Sequence, residues 1–400
     1  MKKIICITLT VALILCAVPS ISFASDNEDY QGNGNNNGAD FDIVSGESLN
    51  INAEAAILMD AETGTLLYAK SPNKALAPAS VTKIMTLLLV AEAIAGGAIS
   101  LTDKVMISAN AAKMGGSQVF LEEGEEFSVE ELLKCTVIAS ANDAAVALAE
   151  HVAGSESAFV AKMNERAKEL GMKNSTFENV TGLDDTVVKH ECSAYDIALM
   201  SRELIKHDTV LKYSNVWQDS IRDGSFILTN TNRLVRYYQG CTGLKTGSTD
   251  KAGFCISATA KRGNLHLIAV IMGADTRDAR NEAARNLLDY GFAAYGLYSD
   301  AEAPLENVPV RCGTVDNITV YKNSFSTLLN KADISKVEKH FEIPEYLSAP
   351  LTENQVIGTV TYTLGGEEIG KCDIVVKESV EKITLGEIFL RMLQSTILGN

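Results

Sequence analysis

Ser80-Val81-Thr82-Lys83-Ile84-Met85-Thr86-Leu87-Leu88-Leu89-Val90-Ala91-Glu92-Ala93-Ile94-Ala95, closed by Gly96-Gly97, is a serine leading a long apolar run in which Lys83 and Glu92 carry the only charges. A run of that length reads as a buried helix rather than a strand, and the glycine pair is its stop. A buried helix needs apolar partners, and the flanking chain offers them in a definite order. Ala55 to Met59 and Thr65 to Ala69 are apolar runs separated by Asp60-Ala61-Glu62-Thr63-Gly64, the pattern of a hairpin. Val129 to Ala139, Ala144 to Val152, Ala158 to Leu170 and Ala194 to Ile205 follow with helical spacing. Gly253 to Ala260 and Leu265 to Gly273 then read as adjacent strands joined by Lys261-Arg262-Gly263-Asn264, and Asn281 to Leu297 as a helix. Strand, helices, strands, helix: the order predicts an α/β (α+β) domain whose sheet is assembled from both ends of the segment, with helices packed against it.

The outer parts of the chain read differently. Lys2 and Lys3 precede an apolar run, Ile4 to Val18, and Ser22-Phe23-Ala24 places small residues where a signal peptidase reads, so residues 1–24 are expected to be an export signal. Residues 25–47, rich in Asn, Asp and Gly, bury too little apolar surface to offset their ordering entropy and are expected to be a disordered leader. The catalytic part is expected over 48–300. Composition changes near Ala303-Pro304, and Asn317 to Tyr321, Val356 to Tyr362 and Asp373 to Lys377 alternate apolar with polar residues, which predicts a small β-domain over 304–378. In the tail, 379–400, Leu385, Ile388, Phe389, Met392, Leu393 and Ile397 recur at spacings of three and four, with Glu387 and Arg391 opposite. That is an amphipathic helix too short and too charged to span a bilayer. An anchor on a membrane surface is the favoured reading, docking on the β-domain the other.

With 35 Lys+Arg against 51 Asp+Glu the chain is strongly acidic, and loss of Lys2 and Lys3 with the leader makes it more so. It has no general attraction for nucleic acid. Cys135, Cys192, Cys241, Cys255, Cys312 and Cys372 show no CxxC or CxxH spacing, so no zinc site is expected, and their pairing is not legible.

Three short motifs carry chemistry. Serine needs a base within hydrogen-bond reach to attack at neutral pH. Lys83 follows Ser80 by three positions, which puts both on one helical face, and burial would lower the lysine's proton affinity enough for it to act. The free N–H groups of the helix start would face an oxyanion forming beside Ser80. Ser71-Pro72-Asn73-Lys74 has the same spacing but reads as a loop, because Pro78 follows too soon. Ser140-Ala141-Asn142 breaks two apolar helical stretches, and its polar groups must find partners. Ser108-Ala109-Asn110 repeats the letters at a helix start, where capping explains them. Lys245-Thr246-Gly247 precedes a strand. Lys245 and Thr246 could hold a carboxylate and Gly247 would let a ligand backbone lie close; the bland reading is a turn.

The order Ser-x-x-Lys, Ser-x-Asn, Lys-Thr-Gly is far more specific than any one of them. With Thr181-Gly182-Leu183-Asp184, Ser193-Ala194-Tyr195-Asp196 and Gly243-Leu244 beside them, the chain over roughly 50–295 resembles the low-molecular-mass penicillin-binding proteins of the D-alanyl-D-alanine carboxypeptidase family. The resemblance implies a β-lactamase/transpeptidase-like fold with a helical subdomain, and removal of the terminal D-alanine from peptidoglycan stem peptides without metal or organic cofactor. It also implies β-lactams as covalent inhibitors. In that reading Ser80 is acylated, Lys83 is the base, and Ser140 relays a proton to the leaving amine while Asn142 holds the substrate amide. Lys245 and Thr246 bind the terminal carboxylate, helped by Arg280 and less securely by Arg233, and the N–H groups of Ser80 and Ser248 form the oxyanion hole.

Three rivals remain at this level. A class A-like β-lactamase shares the motifs, and Glu178-Asn179 lies where its water-activating carboxylate would be sought, without the Glu-x-x-Leu-Asn pattern. The others are an inert wall-binding protein and an endopeptidase using the same acyl-enzyme. A Ser-His-Asp triad with His151 or His190 lacks a serine elbow.

Overall fold

The structure, a computed structural model, describes residues 44–45, 49, 51–184 and 187–398. The expected export signal and nearly all of the expected leader lie outside the described residues.

The hairpin forms as Ala55–Asp60 against Leu66–Lys70. Leu265–Ala274 pairs antiparallel with Ala55–Asp60 on one side and Gly253–Arg262 on the other, and Cys241–Thr249 closes the edge. Val44–Ser45 adds a short parallel strand beyond Leu66–Lys70. Neighbouring side chains along a strand point to opposite faces, and here both faces are covered. Ala55, Ile57 and Met59 join one core with Ile268, Val270 and Met272; Ala56 and Leu58 join the other with Leu267, Ala269 and Ile271. Two buried faces explain why these strands are apolar throughout.

The helices Lys83–Ala95, Val129–Ile138, Asn142–Ala153, Glu156–Glu169 and Ala194–Leu204 all contribute to the first core, and Arg277–Ala294 covers the second face. Serines cap several of them. Ser128 accepts from the N–H of Glu131, whose carboxylate accepts from the Ser128 N–H in return, a reciprocal cap at the start of Val129–Ile138. Two boundaries differ from expectation. The last helix starts at Arg277 rather than Asn281, because the Thr276 hydroxyl accepts from the Ala279 N–H at 3.1 Å. It stops at Ala294 rather than Leu297, because Tyr295–Asp300 leaves to pair with Phe325–Asn330.

That pairing starts the β-structure before Ala303-Pro304. A six-stranded sheet follows in the order Glu338–Glu342, Val356–Leu364, Glu367–Val376, Asn317–Lys322, Ala303–Arg311, Leu347–Ser348. Phe325 stacks on Tyr362 at 4.1 Å between ring centres, and the Tyr362 hydroxyl donates to Asp300 at 2.8 Å, so the smaller sheet is tied to the larger. Sequence reading missed Glu338–Glu342, whose residues are all exposed and therefore show no alternation.

The tail is a helix, Leu385–Leu398. Arg391 bonds Asp316 at 2.8 Å and the Thr314 carbonyl, while Leu385, Phe389 and Met392 are 85%, 63% and 64% exposed. The helix meets the β-domain through Arg391, while Leu385 and Phe389 stay mostly exposed. No described helix is long and apolar enough to cross a membrane.

Candidate active site

Ser80 stands in a single 3-10 turn, Ala79–Thr82, immediately ahead of the α-helix. The three-residue spacing survives the tighter winding, and the Lys83 amine lies 3.0 Å from the Ser80 hydroxyl. Lys83 is fully buried and also donates to Asn142 Oδ1 at 2.5 Å and the Thr181 carbonyl at 2.9 Å. Burial, and then the charge of Lys245, push its proton affinity well below the ordinary lysine value, while Asp143 works in the opposite direction. A neutral amine beside a hydroxyl is what a general base requires.

Ser140 sits between the helices Val129–Ile138 and Asn142–Ala153 with φ of +62°, a backbone conformation that few side-chain-bearing residues adopt. Its hydroxyl accepts from the Lys245 amine at 2.7 Å. Lys245, on the strand Cys241–Thr249, is buried; burial first, and then Arg280, bring its amine down to about 7. Asn142 is occupied inside the protein: Oδ1 accepts from Lys83 and Nδ2 donates to the Gly115 carbonyl at 2.7 Å. Next to it, the buried Asp143 carboxylate accepts from the N–H groups of Val119 and Leu121 and so holds the preceding loop over the site.

Gly247 shows why this position lacks a side chain. A Cβ there would lie 2.8 Å from the Ser80 nitrogen and 2.9 Å from both the Pro78 oxygen and the Val81 nitrogen. The strand edge rests directly on the Ser80 turn, and the backbone conformation of Gly247 is ordinary, so close approach alone demands glycine.

Ser80, Ser140, Thr246, Gly247, Ser248, Arg233 and Arg280 line one cleft of about 630 Å³, with Lys83, Asn142 and Lys245 reaching it from below through the bonds just described. Arg280 is only 3% exposed; burial first, then Arg277 and Arg233, lower its guanidinium to about 10. No carboxylate among the described residues forms an ion pair with Arg233, Arg277 or Arg280, so surface salt bridging does not explain them. Sequence reading missed Ser117, Trp217, Thr229, Asn230, Thr231, Tyr237 and Arg277 on the same wall. Thr231 accepts from the Thr246 hydroxyl at 2.8 Å, a contact across fifteen residues with no local signature.

The decoys separate cleanly. Lys74 pairs with Glu54 at 2.7 Å, and Ser108 caps a short helix through the Ala111 N–H. His151 lies 3.8 Å from Asp103 at a helix end, and the buried His190 bonds Thr82 rather than Ser80. His190 lies in a loop, yet Phe177 packs on its ring and both nitrogens are engaged. Glu178 is exposed, and its oxygens accept from the N–H groups of Val188 and Lys189, which leaves it poorly placed to activate a water. Among the described residues no cluster of His, Cys, Asp and Glu could hold a metal ion, and the six cysteines are free thiols.

Residues 42–276 match the family model described as D-alanyl-D-alanine carboxypeptidase. The chain belongs to the D-alanyl-D-alanine carboxypeptidase family. Residues 294–382 match the C-terminal domain of penicillin-binding protein 5. The chain is 43% identical over 338 residues to the D-alanyl-D-alanine carboxypeptidase DacF of Bacillus subtilis, covering 82% of this chain and 86% of that one. It is 34% identical to DacC of Escherichia coli over 84% of this chain and 86% of that one. Penicillin-binding protein 5 of Haemophilus influenzae superposes with a TM-score of 0.71 at 32% identity, covering 83% of this chain and 98% of that one. Penicillin-binding protein D2 of Listeria monocytogenes, solved in an ampicillin-bound form, superposes at 0.56 with 32% identity over 60% of this chain and 98% of that one. This D-alanyl-D-alanine carboxypeptidase is thus a serine enzyme with an adjoining β-domain, as its motifs implied.

Proposed function

We propose that this carboxypeptidase trims peptidoglycan stem pentapeptides through an acyl-enzyme on Ser80. The observation that carries the reading is the buried Lys83 amine, 3.0 Å from the Ser80 hydroxyl and depressed in proton affinity. Neutral Lys83 takes the hydroxyl proton as Oγ attacks the penultimate D-alanine carbonyl. Ser140 accepts from Lys245, so its own O–H proton is left to pass to the leaving amine, and terminal D-alanine departs. The proton that Lys83 took from Ser80 passes on to the Ser140 oxygen, which restores both groups. Neutral Lys83 then takes a proton from the water that attacks the ester and returns it to the Ser80 oxygen as the ester bond breaks. Asn142 orients Lys83; Lys245, Thr246, Arg280 and Arg233 receive the terminal carboxylate; the N–H groups of Ser80 and Ser248 stabilise the oxyanion. Incubation with diacetyl-Lys-D-Ala-D-Ala should release D-alanine, whereas nitrocefin should acylate the enzyme once and turn over slowly. Rapid nitrocefin turnover without D-alanine release would assign the site to β-lactamase chemistry instead.

Gly247→Ala tests the oxyanion hole. A methyl group forced against the Ser80 nitrogen must push strand and turn apart. Acylation by benzylpenicillin should slow by about 100-fold, the usual scale for a lost oxyanion donor. Stopped-flow measurement of adduct formation checks this, with a melting curve to confirm the fold.

We place the enzyme outside the cytoplasm, exported by residues 1–24 and resting on the outer face of the cytoplasmic membrane. The chain divides near Ala294, where the last catalytic helix gives way to paired strands. The exposure of Leu385, Phe389 and Leu390 on this helix supports the anchor reading over docking, since apolar side chains left facing water gain by entering an interface. Removal of residues 385–400 is expected to abolish co-sedimentation with phospholipid vesicles while leaving D-alanine release unchanged within about twofold.

A further inference from the structure

His190 belongs to none of the three motifs, yet its ring is buried against the turn that carries the nucleophile. The Glu178 N–H donates to Nδ1 at 3.0 Å, so a neutral ring carries its proton on Nε2. Nε2 lies 2.7 Å from the Thr82 hydroxyl oxygen, which therefore accepts from it. Thr82 is the last residue of the Ser80 turn and precedes Lys83. The loop that starts at Glu178 also brings the Thr181 carbonyl to the Lys83 amine and the Val180 carbonyl to the Thr86 hydroxyl.

We propose that His190 is a positioning residue for acylation, fixing the Ser80–Lys83 turn against the loop 178–183 through the Thr82 hydroxyl. The proposal rests on Lys83 being the base. Three further observations support it. Asn179 Oδ1 accepts from the N–H groups of both Thr181 and Gly182, which braces the loop internally. Gly182, at φ of +82°, lies so close to the turn that a Cβ would sit 1.8 Å from the Ala79 oxygen and 2.7 Å from the Thr82 hydroxyl oxygen. Burial, the dominant influence, brings the imidazole down to about 4, so the ring stays neutral near pH 7 and keeps its Nε2 proton.

The consequence is geometric. Lys83 must stay within hydrogen-bond distance of Ser80 while also held by Thr181 and Asn142, and Thr82 is the link in the same turn that His190 holds. Loss of that link lets the turn shift relative to the loop, and a displacement of about 1 Å can cost roughly 100-fold in rate. The proposed substrate-binding residues Thr246, Ser248 and Arg280 line the cleft, and neither His190 nor Thr82 does, so binding should change little.

The test is benzylpenicillin acylation followed by stopped flow over a range of concentrations, which separates the limiting rate from half-saturation. His190→Ala should lower the limiting rate by about 10- to 100-fold and move half-saturation by less than about threefold. His190→Gln, which can still donate to Thr82, should recover most of the rate, and Thr82→Val should match His190→Ala. Because the two residues act through one bond, the double variant should be no slower than either single one. A His190→Ala rate within twofold of wild type, equal losses in His190→Gln and His190→Ala, or multiplying losses in the double variant would overturn the proposal. If His190→Ala does not fold, the Gln and Val variants with their double carry the same test. Lys83→Met runs alongside: normal acylation there removes the base assignment itself, while a slow Lys83→Met beside a normal His190→Ala removes only the role of His190.

Discussion

Ser80→Ala should fold normally and form no penicilloyl adduct, while wild type gains the mass of one benzylpenicillin. The Ser80 hydroxyl has Lys83 as its hydrogen-bond partner, and deleting it opens no apolar cavity, because the side chain faces the cleft. The melting temperature should therefore stay within about 3 °C. D-alanine release should drop by at least about 10⁴-fold, since a lost nucleophile disables every group that acts with it. Intact-mass spectrometry after benzylpenicillin reads the first outcome and a D-alanine assay the second. A full-mass adduct on the alanine variant would move the nucleophile elsewhere in the cleft.

Lys83→Met is the second large effect. Methionine fills nearly the same volume but cannot accept a proton, so acylation should slow by about 10³- to 10⁴-fold, at the upper end of what a general base supplies. The variant should still form adduct on prolonged incubation, because the nucleophile and the cleft remain. The pH dependence gives an independent sign. Lys83 must be neutral to work, and burial with Lys245 nearby lowers its proton affinity, so the neutral form persists to a pH well below the usual lysine range. Acylation by wild type should therefore hold as pH falls from the alkaline side through the ordinary lysine value and decline only at lower pH, as the amine takes up its proton. Lys83→Met should lack that acid-side decline. A wild-type rate that already falls near pH 10 would show a lysine titrating as if in water.

Most of the site was legible because its parts are local. A lysine three residues after a serine shares its face in an α-helix or a 3-10 turn, so the Ser80–Lys83 contact did not depend on which one formed. The break at Ser140 was visible as polar residues between apolar helices, whereas Lys245-Thr246-Gly247, read as preceding a strand, lies within a strand of its own, Cys241–Thr249. Motifs carry no information about their mutual distance, however. Lys245 reaches Ser140 across more than a hundred residues only because Cys241–Thr249 is the edge strand of a sheet begun by Ala55–Asp60. Asn142 was found by its letter, but its bonds to Lys83 and Gly115, which use Oδ1 and one Nδ2 hydrogen, were not legible in the sequence.

The helix boundaries follow the same division. Val129–Ile138 and Ala194–Leu204 were readable from apolar spacing, whereas Arg277–Ala294 needed a cap at Thr276 and a competing strand at Tyr295 to set its ends. His190 is a loop residue among polar neighbours, and its burial was not legible from them. Burial is decided by what packs from elsewhere, here Phe177 and the Ser80 turn.

Sequence alone determined the class of this protein, a serine carboxypeptidase, and singled out the hydroxyl and the amine proposed to act, because a few residues at fixed spacing in three ordered motifs carry that information. Tertiary structure decided that burial lowers the proton affinity of Lys83, where the cleft's arginines converge, and why Gly247 admits no side chain. Proton affinity and close approach depend on everything within a few ångströms, and those neighbours come from distant segments of the chain.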